Sequence, residues 1–420
     1  MTREPCDLLL TGGHLVTPDG VIRADLAVRD GRISLHPRRR FRPASTIDAR
    51  GCYVLPGFVD IHFHGYNLFE FTAGRYDPQR GAFDDSAAAY DEGFAMLRRT
   101  LPRFGVTGFY VASWAAPVES LKRCFGHLTR ALRTAPTAGR EDGRAPSGSL
   151  PEARLLGGLL EGTFINPAMA GAQNPAFVME PSIRTFEAIQ DSGSIRLANV
   201  VPDRGEASLE LIRQLSSRGI VVGAGHTAAT AQQVQDAVTA GLRYFIHFLN
   251  GPTGGSFKPF DGGGAVEAGL SLREPFLELI LDGYHVNPRY VRDVLARVGF
   301  DRAVAVTDAL YVAGSDLREI SIGGTRGRVS DDGTHIYVVG KPNTLCSSNL
   351  TMDRAFRNLL NWLTVEMEGV WVARHPPFGF EEALTAAAKV CATNACRLTG
   401  LANRSLGAIR DGAAADLAVV

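Results

Sequence analysis

Three absences narrow the function of this chain before any motif is read. It contains no run of about 18 apolar residues, so a transmembrane helix is not expected. Neither sign of charge is in excess: 44 basic residues offset 44 acidic ones, which leaves no net basic field for nucleic acid or an anionic membrane. Cysteine is sparse. Cys6, Cys52, Cys124, Cys346, Cys391 and Cys396 form no Cys-x-x-Cys pair, which argues against a disulfide framework or a cysteine zinc site and for a reducing cytoplasm. The opening residues, Met1 to Cys6, lead into Asp7 rather than an apolar stretch, so a secretory leader is not expected either. No internal repeat of about 20 to 50 residues is evident.

The remaining composition is that of a large globular protein. Hydrophobic residues at 45% and charged residues at 21% are ordinary values, enough for 420 residues to bury a sizeable core. The first segment reads as short strands and turns: Asp7-Leu8-Leu9-Leu10-Thr11, then Gly12-Gly13, then a turn at Pro18-Asp19-Gly20. The last residues, Asp416-Leu417-Ala418-Val419-Val420, have the same character. We therefore expect a small β-sandwich domain built from both chain ends, roughly 1–55 with 345–420, the latter including terminal helices. Between them, 56–344 alternates apolar runs with helical patterns. Strands are expected near 57–62, 105–112, 154–161, 197–201, 220–226, 244–249, 277–282 and 303–308. Helical periodicity is plain over 229–240 and 288–298. Eight such units predict an α/β fold with a (β/α)8 TIM-type barrel rather than an open doubly wound sheet. The segment 135–150, rich in Gly, Pro and charge, reads as a surface insertion.

In such a barrel the reactive groups gather at the C-terminal ends of the strands. Five of the chain's 10 histidines fall in these endings. His62 and His64 stand two apart on the first strand, so their rings share a face. Glu161 ends the third strand, His226 the fifth, His247 lies in the sixth, His285 follows the seventh and Asp308 ends the eighth. A glutamate with two imidazoles is a normal mixed ligand set for Zn²⁺ that leaves a position open for water. His14, His36, His127, His335 and His375 have no such context, and surface or structural roles are expected for them.

Pro56-Gly57-Phe58-Val59-Asp60-Ile61-His62-Phe63-His64-Gly65 resembles the signature of the amidohydrolase superfamily. Leu160-Glu161-Gly162, Gly225-His226-Thr227, His247-Phe248-Leu249-Asn250-Gly251, Asp282-Gly283-Tyr284-His285 and Thr307-Asp308-Ala309 are similar, in that order, to the N-acetylglucosamine-6-phosphate deacetylase family. So is the stretch Asn343-Thr344-Leu345-Cys346-Ser347-Ser348-Asn349-Leu350-Thr351-Met352. The resemblance implies that Glu161, His226 and His247 hold a divalent metal, with zinc the expected ion. It implies a second site at His62 and His64 bridged by Glu161, hence one or two ions per subunit. Asp308 matches the general base. Asn250, the Gly251 amide and His285 match positions that grip the sugar phosphate. Gln173 falls where the family often has a histidine that polarises the scissile carbonyl. Lys258 falls where it often has an arginine that reaches a neighbouring subunit's phosphate, which implies a homodimer.

The reaction so implied is metal-dependent hydrolysis of the N-acetyl amide of an amino sugar, N-acetylglucosamine-6-phosphate to glucosamine-6-phosphate and acetate. Two departures stand out: Thr163 follows Glu-Gly where the family usually has proline, and Lys258 replaces an arginine. Lysine is a point charge without the fork that matches phosphate. A deacylase of another N-acylated sugar, phosphorylated or not, is therefore an alternative. A cyclic-amide hydrolase or deaminase would commonly carry a lysine at the fourth strand, and Val200-Val201-Pro202-Asp203 offers none. A catalytically silent binding barrel would be expected to lose ligands or the base, and this chain keeps them.

Overall fold

A computed structural model describes residues 4–35, 41–134, 152–190, 193–250 and 262–420. The expected insertion at 135–150 and the expected substrate-binding residues Gly251 and Lys258 lie outside the described residues.

Eight parallel strands form one sheet: Phe58–Phe63, Val106–Ala112, Arg154–Phe164, Ile195–Val200, Val221–Ala224, Leu242–Phe245, Phe276–Ile280 and Ala303–Val306. They pair in strict sequence order. Each runs N-terminal to an α-helix, so every connection is of the β–α–β kind that parallel pairing demands. The first and eighth strands meet just past their ladders. The Asp308 N–H donates to the His62 carbonyl at 2.9 Å, and the His64 N–H to that of Ala309 at 2.9 Å. Below this, Thr307 Oγ1 donates to Asp60 Oδ2 at 2.6 Å. The sheet is thus a nearly closed TIM-like barrel.

The strands read as apolar runs because both faces are covered. All six residues of Phe58–Phe63 are buried, as are all four of Ala303–Val306. Helix caps agree with the periodicity. Thr230 and Gln233 form a capping box at the start of Ala231–Ala240, and Asn287 caps Pro288–Val298 with proline in the first turn. Gly57 allows the chain to enter the barrel close to the second strand: a Cβ there would lie 2.2 Å from the Thr107 side chain.

The chain ends form a mixed six-stranded sheet of Glu4–Thr17, Gly20–Arg29, Arg32–Ser34, Phe41–Asp48, Tyr53–Pro56 and Leu417–Val419. The last strand returns antiparallel to Tyr53–Pro56, with Leu417 opposite Pro56. Its own apolar cluster includes Leu10, Leu15, Leu26, Val54, Ile409 and Ala413. The helices Met352–Thr364 and Phe380–Ala388 instead pack into the barrel's cluster through Phe356, Leu359 and Leu384. Two excursions decorate the C-terminal end of the barrel strands. Short hairpins between Gly65 and Asp84 follow the first strand, and an antiparallel four-stranded sheet from Glu319 to Ser348 follows the eighth. Neither was expected from periodicity, because these strands are short and interrupted by turns.

Candidate active site

The proposed ligands come from four strand ends and meet. Glu161 is the centre. Its Oε1 lies 3.2 Å from His226 Nε2 and 3.2 Å from His247 Nε2. Its Oε2 lies 3.5 Å from His64 Nε2 and 3.8 Å from His62 Nε2. Two buried triads therefore share Glu161: His62, His64 and Glu161 on one side, Glu161, His226 and His247 on the other, each with its ligand atoms within 4.8 Å of one another.

Local backbone aims these groups. His62 and His64 project inward from alternate positions. His226, His247 and Asp308 follow directly on strands that end a few residues earlier than their apolar runs suggest. All three hold positive φ values of 56°, 32° and 49°. That conformation is uncommon for non-glycine residues and turns each side chain off the strand line into the barrel mouth. Gly162, next to Glu161, also has φ +81°, and a Cβ there would lie 2.3 Å from the Ala115 nitrogen. Only glycine fits so close to the second strand's end.

The histidine tautomers are set from behind. The His62 Nδ1–H donates to Glu278 Oε2 at 3.0 Å, that of His64 to the Ala112 carbonyl at 3.1 Å, and that of His226 to the Met169 carbonyl at 3.0 Å. Each leaves an Nε2 lone pair facing the cluster. His62 Nε2 is buried and has no hydrogen-bond partner. The Nε2 atoms of His226 and His247 stand 3.2 Å apart. Converging lone pairs around a carboxylate are what a cation needs and what an empty polar pocket would avoid. The residues present therefore fit a divalent metal, and two sites fit as well as one.

The electrostatics agree. Burial alone would lower the His62 pKa, but Glu278 above all, then Glu161 and Asp308, carry it up to about 10. The carboxylates around this ring call for positive charge at this point: a proton on Nε2 without an ion, and a metal in the proton's place when one binds. Burial also opposes ionisation of Glu161, yet His226 and His247 hold its pKa well below the usual carboxylate range. Asp308 is likewise held down, against burial, by the His64 contact and the charges of His62 and His64. Burial keeps the His247 ring below its ordinary value, in the neutral form that can ligate.

Asp308 lies across the cluster from Glu161. Its Oδ1 is 3.1 Å from His64 Nε2 and accepts the Ser347 hydroxyl at 3.0 Å. Gln173 is tied at both ends of its amide: Nε2 donates to Glu161 Oε2 at 2.8 Å, and Oε1 accepts the Ala115 N–H at 2.7 Å. One N–H of that amide is left for a ligand. His285 donates from Nδ1 to Asp282 Oδ2 at 2.6 Å. Burial works against its protonation, but the Asp282 charge raises its pKa on balance. A cleft of about 480 Å³ joins these groups, with Asn250, Gln173, Tyr284 and His285 on its wall.

Sequence reasoning missed Glu278, which is fully buried on the seventh strand and holds both His62 and the His247 N–H (3.1 Å). Its signal was there: a lone acid inside the apolar run Phe276-Leu277-Glu278-Leu279-Ile280. Ser347 lay within a recognised motif but received no role. The backbone acceptors of Ala112 and Met169 leave no mark in sequence. Of the remaining histidines, His375 is buried against Asp293 at 2.7 Å, far from the cluster in chain order and partner.

No family model matches the chain. Curated proteins do. An N-acetylglucosamine-6-phosphate deacetylase of Bacillus subtilis is 26% identical over 427 residues, covering 98% of this chain and 93% of that protein. An N-acetylgalactosamine-6-phosphate deacetylase of Escherichia coli O157:H7 is 27% identical over 366 residues, covering 86% and 85%. The solved N-acetyl-D-glucosamine-6-phosphate deacetylase of Mycobacterium smegmatis, in complex with N-acetyl-D-glucosamine-6-phosphate, superposes with a TM-score of 0.77 over 99% of this chain and 95% of its own, at 24% identity, and so bears out the fold. The strand-end cluster and these matches agree: along nearly its whole length the chain is similar to N-acetylhexosamine-6-phosphate deacetylases, at 26–27% identity to the two curated proteins above.

Proposed function

We propose that this protein hydrolyses the N-acetyl amide of an N-acetylhexosamine 6-phosphate, releasing acetate and the free amino sugar phosphate. One observation carries the reading: Glu161 sits between two pairs of histidines whose Nε2 lone pairs face inward, with Asp308 alongside. Glu161, His226 and His247 would hold the principal divalent ion, zinc by donor type, and His62 and His64 a second bridged by Glu161. Such an ion supplies Lewis acidity and lowers the pKa of water from 15.7 towards about 7.

The chain's own groups do the rest. Asp308 accepts a proton from the attacking water and returns it to the departing nitrogen, since an amine leaves poorly unless protonated. Gln173 braces Glu161 and offers its remaining N–H to the carbonyl oxygen as charge develops there. His285, its charge favoured by Asp282, suits an anionic group at the far end of the cleft, with Asn250 beside it. By resemblance, the Gly251 amide and Lys258 join them, Lys258 across a homodimer interface. Six free thiols support our placing of the enzyme in the cytoplasm; among the described residues no helix is long and apolar enough to span a membrane.

The test is acetate release from four substrates side by side: N-acetylglucosamine and N-acetylgalactosamine, each with and without a 6-phosphate. The proposal expects turnover that is lost on chelation, restored by added divalent metal and at least about tenfold faster with phosphate, roughly what one good charged contact supplies. Equal rates with and without phosphate would remove the phosphate from the reading. No acetate from any of the four would remove the reaction.

A further inference from the structure

Nine non-glycine residues among those described hold a positive φ, and four of them, His226, His247, Asp308 and Ser347, line one cleft. The conformation of the first three is explained by where their side chains must point. Ser347 is not yet explained. It lies near the end of the strand Lys341–Ser348, with φ 51° and little exposure. The next residue fixes this stretch against the barrel: the Ser348 N–H donates to the Asp308 carbonyl at 2.8 Å, and the Leu310 N–H to that of Ser348 at 3.1 Å. The turn thus demands a left-handed residue at 347. Glycine meets that demand without strain, and serine does not. Strain of this kind persists where the rest of the molecule over-determines it, and it clusters at sites of function. What serine adds over glycine is its hydroxyl, and the hydroxyl donates to Asp308 Oδ1 at 3.0 Å.

We propose that Ser347 is a positioning residue for the hydrolysis, pinning Oδ1 of Asp308 so that Oδ2 is presented to the water and to the leaving nitrogen. His64 Nε2, at 3.1 Å, and His62 Nε2, at 3.7 Å, crowd the same Oδ1. Ser347 approaches it from the inserted sheet, and the carboxylate is thereby fixed between barrel and insertion. A carboxylate free to rotate about its Cβ–Cγ bond would offer either oxygen; one held at Oδ1 offers the other in a single orientation, which is the near-attack arrangement that proton transfer rewards. The inference rests on the reading of Asp308 as the proton carrier.

The test compares Ser347→Gly, Ser347→Ala and Asp308→Asn in the full-length, metal-loaded protein, by steady-state kinetics and thermal melting. Ser347→Gly is expected to lower kcat at least about fivefold with KM within about twofold, a modest misplacement penalty, while Tm stays equal to wild type or rises as the strain is relieved. Ser347→Ala is expected to show the same fall in kcat without the rise in Tm. In the glycine variant activity then falls with no loss of stability, which a residue serving the fold alone cannot produce. A glycine variant at wild-type kcat, with Asp308→Asn inactive, would overturn the role of Ser347 and leave that of Asp308 standing. A raised KM with intact kcat would make Ser347 a substrate contact and also overturn it. Losses of kcat that track a lowered Tm in both variants would assign it to the fold. An active Asp308→Asn would remove the reading beneath it.

Discussion

The His62 ring has two nitrogens, and Glu278 decides which of them faces the cleft. With the Nδ1–H held at 3.0 Å by Glu278 Oε2, the Nε2 lone pair has a single direction. Glu278→Ala removes the acceptor, so the ring is free to take the other tautomer or rotate, and the His62–His64 side loses its preset donor. We expect this variant to carry fewer metal ions per subunit than wild type by elemental analysis, while Glu278→Gln, whose amide oxygen still accepts, keeps the wild-type number. An unchanged count in the alanine variant would show that His62 needs no such support. Asp308→Asn tests the opposite side of the cluster. Asparagine keeps the shape and accepts the Ser347 hydroxyl but cannot take up a proton, so kcat should fall at least about 10²-fold, the low end for acid–base catalysis. Circular dichroism and metal content should stay at wild-type values. Near-normal turnover would move the proton transfers to another group.

At the scale of elements, one buried acid organises a whole loop. Asp293, on the helix Pro288–Val298, accepts the N–H groups of Val370 at 2.6 Å, Trp371 at 2.7 Å and Val372 at 3.1 Å, and takes His375 Nε2 at 2.7 Å. Asp293→Ala strands three amides and a histidine and should cost about 3 kcal/mol or more. Hydrogen exchange at 370–372 should rise selectively. Burial opposes the ionisation of Asp293, but the Trp371 amide, His375 and the neighbouring amides hold its pKa below the usual value. A depressed carboxylate stabilises the fold above the unfolded pKa of about 3.9, and that contribution is lost as pH falls through the lower native value. The wild-type protein should therefore lose more stability than the alanine variant on acidification below about pH 4. Parallel acid melting curves would place the loop's anchor elsewhere.

Elements also show what sequence could and could not give. The eight barrel strands were legible because burial on both faces writes each as an unbroken apolar run. Their ends were placed too late at the fifth to eighth strands, where His226, His247, Asp282 and Asp308 leave the strand within a few residues: apolar runs measure burial, and burial continues past the last ladder bond. The residues of the two buried triads were legible because their types are unusual at strand ends. Glu278 was overlooked because one acid does not disturb an apolar run, although an unpaired acid there would be too costly to keep. Short hairpins around Phe69 and the sheet carrying Ser347 were illegible for a different reason. Each of these strands pairs with its neighbour in sequence, and all but Lys341–Ser348 run only two to five residues, too short to show a period.

For the molecule as a whole, the consequence of this construction is that a small ion would hold the ends of four strands together. The first, third, fifth and sixth strands contribute His62 and His64, Glu161, His226, and His247, so an ion beside Glu161 would tie all four together. A ligand that binds only the folded state stabilises it by RT ln(1 + [L]/Kd), about 2.7 kcal/mol at a hundredfold excess over Kd. With the unfolding entropy of a 420-residue chain, that corresponds to a rise in Tm of about 3 °C. Scanning calorimetry of the chelated protein, with and without added Zn²⁺, should show at least this shift, larger as the ion binds more tightly. Glu161→Gln should abolish it, because the bridging charge is gone while the side chain keeps its size. Lys389→Ala, which loses only an exposed pairing with Asp301 at 2.9 Å, should leave it intact. If the wild-type protein melts at the same temperature under both conditions, the histidines gathered around Glu161 are not a metal centre, and the barrel mouth must be read as a proton-bearing polar cluster instead.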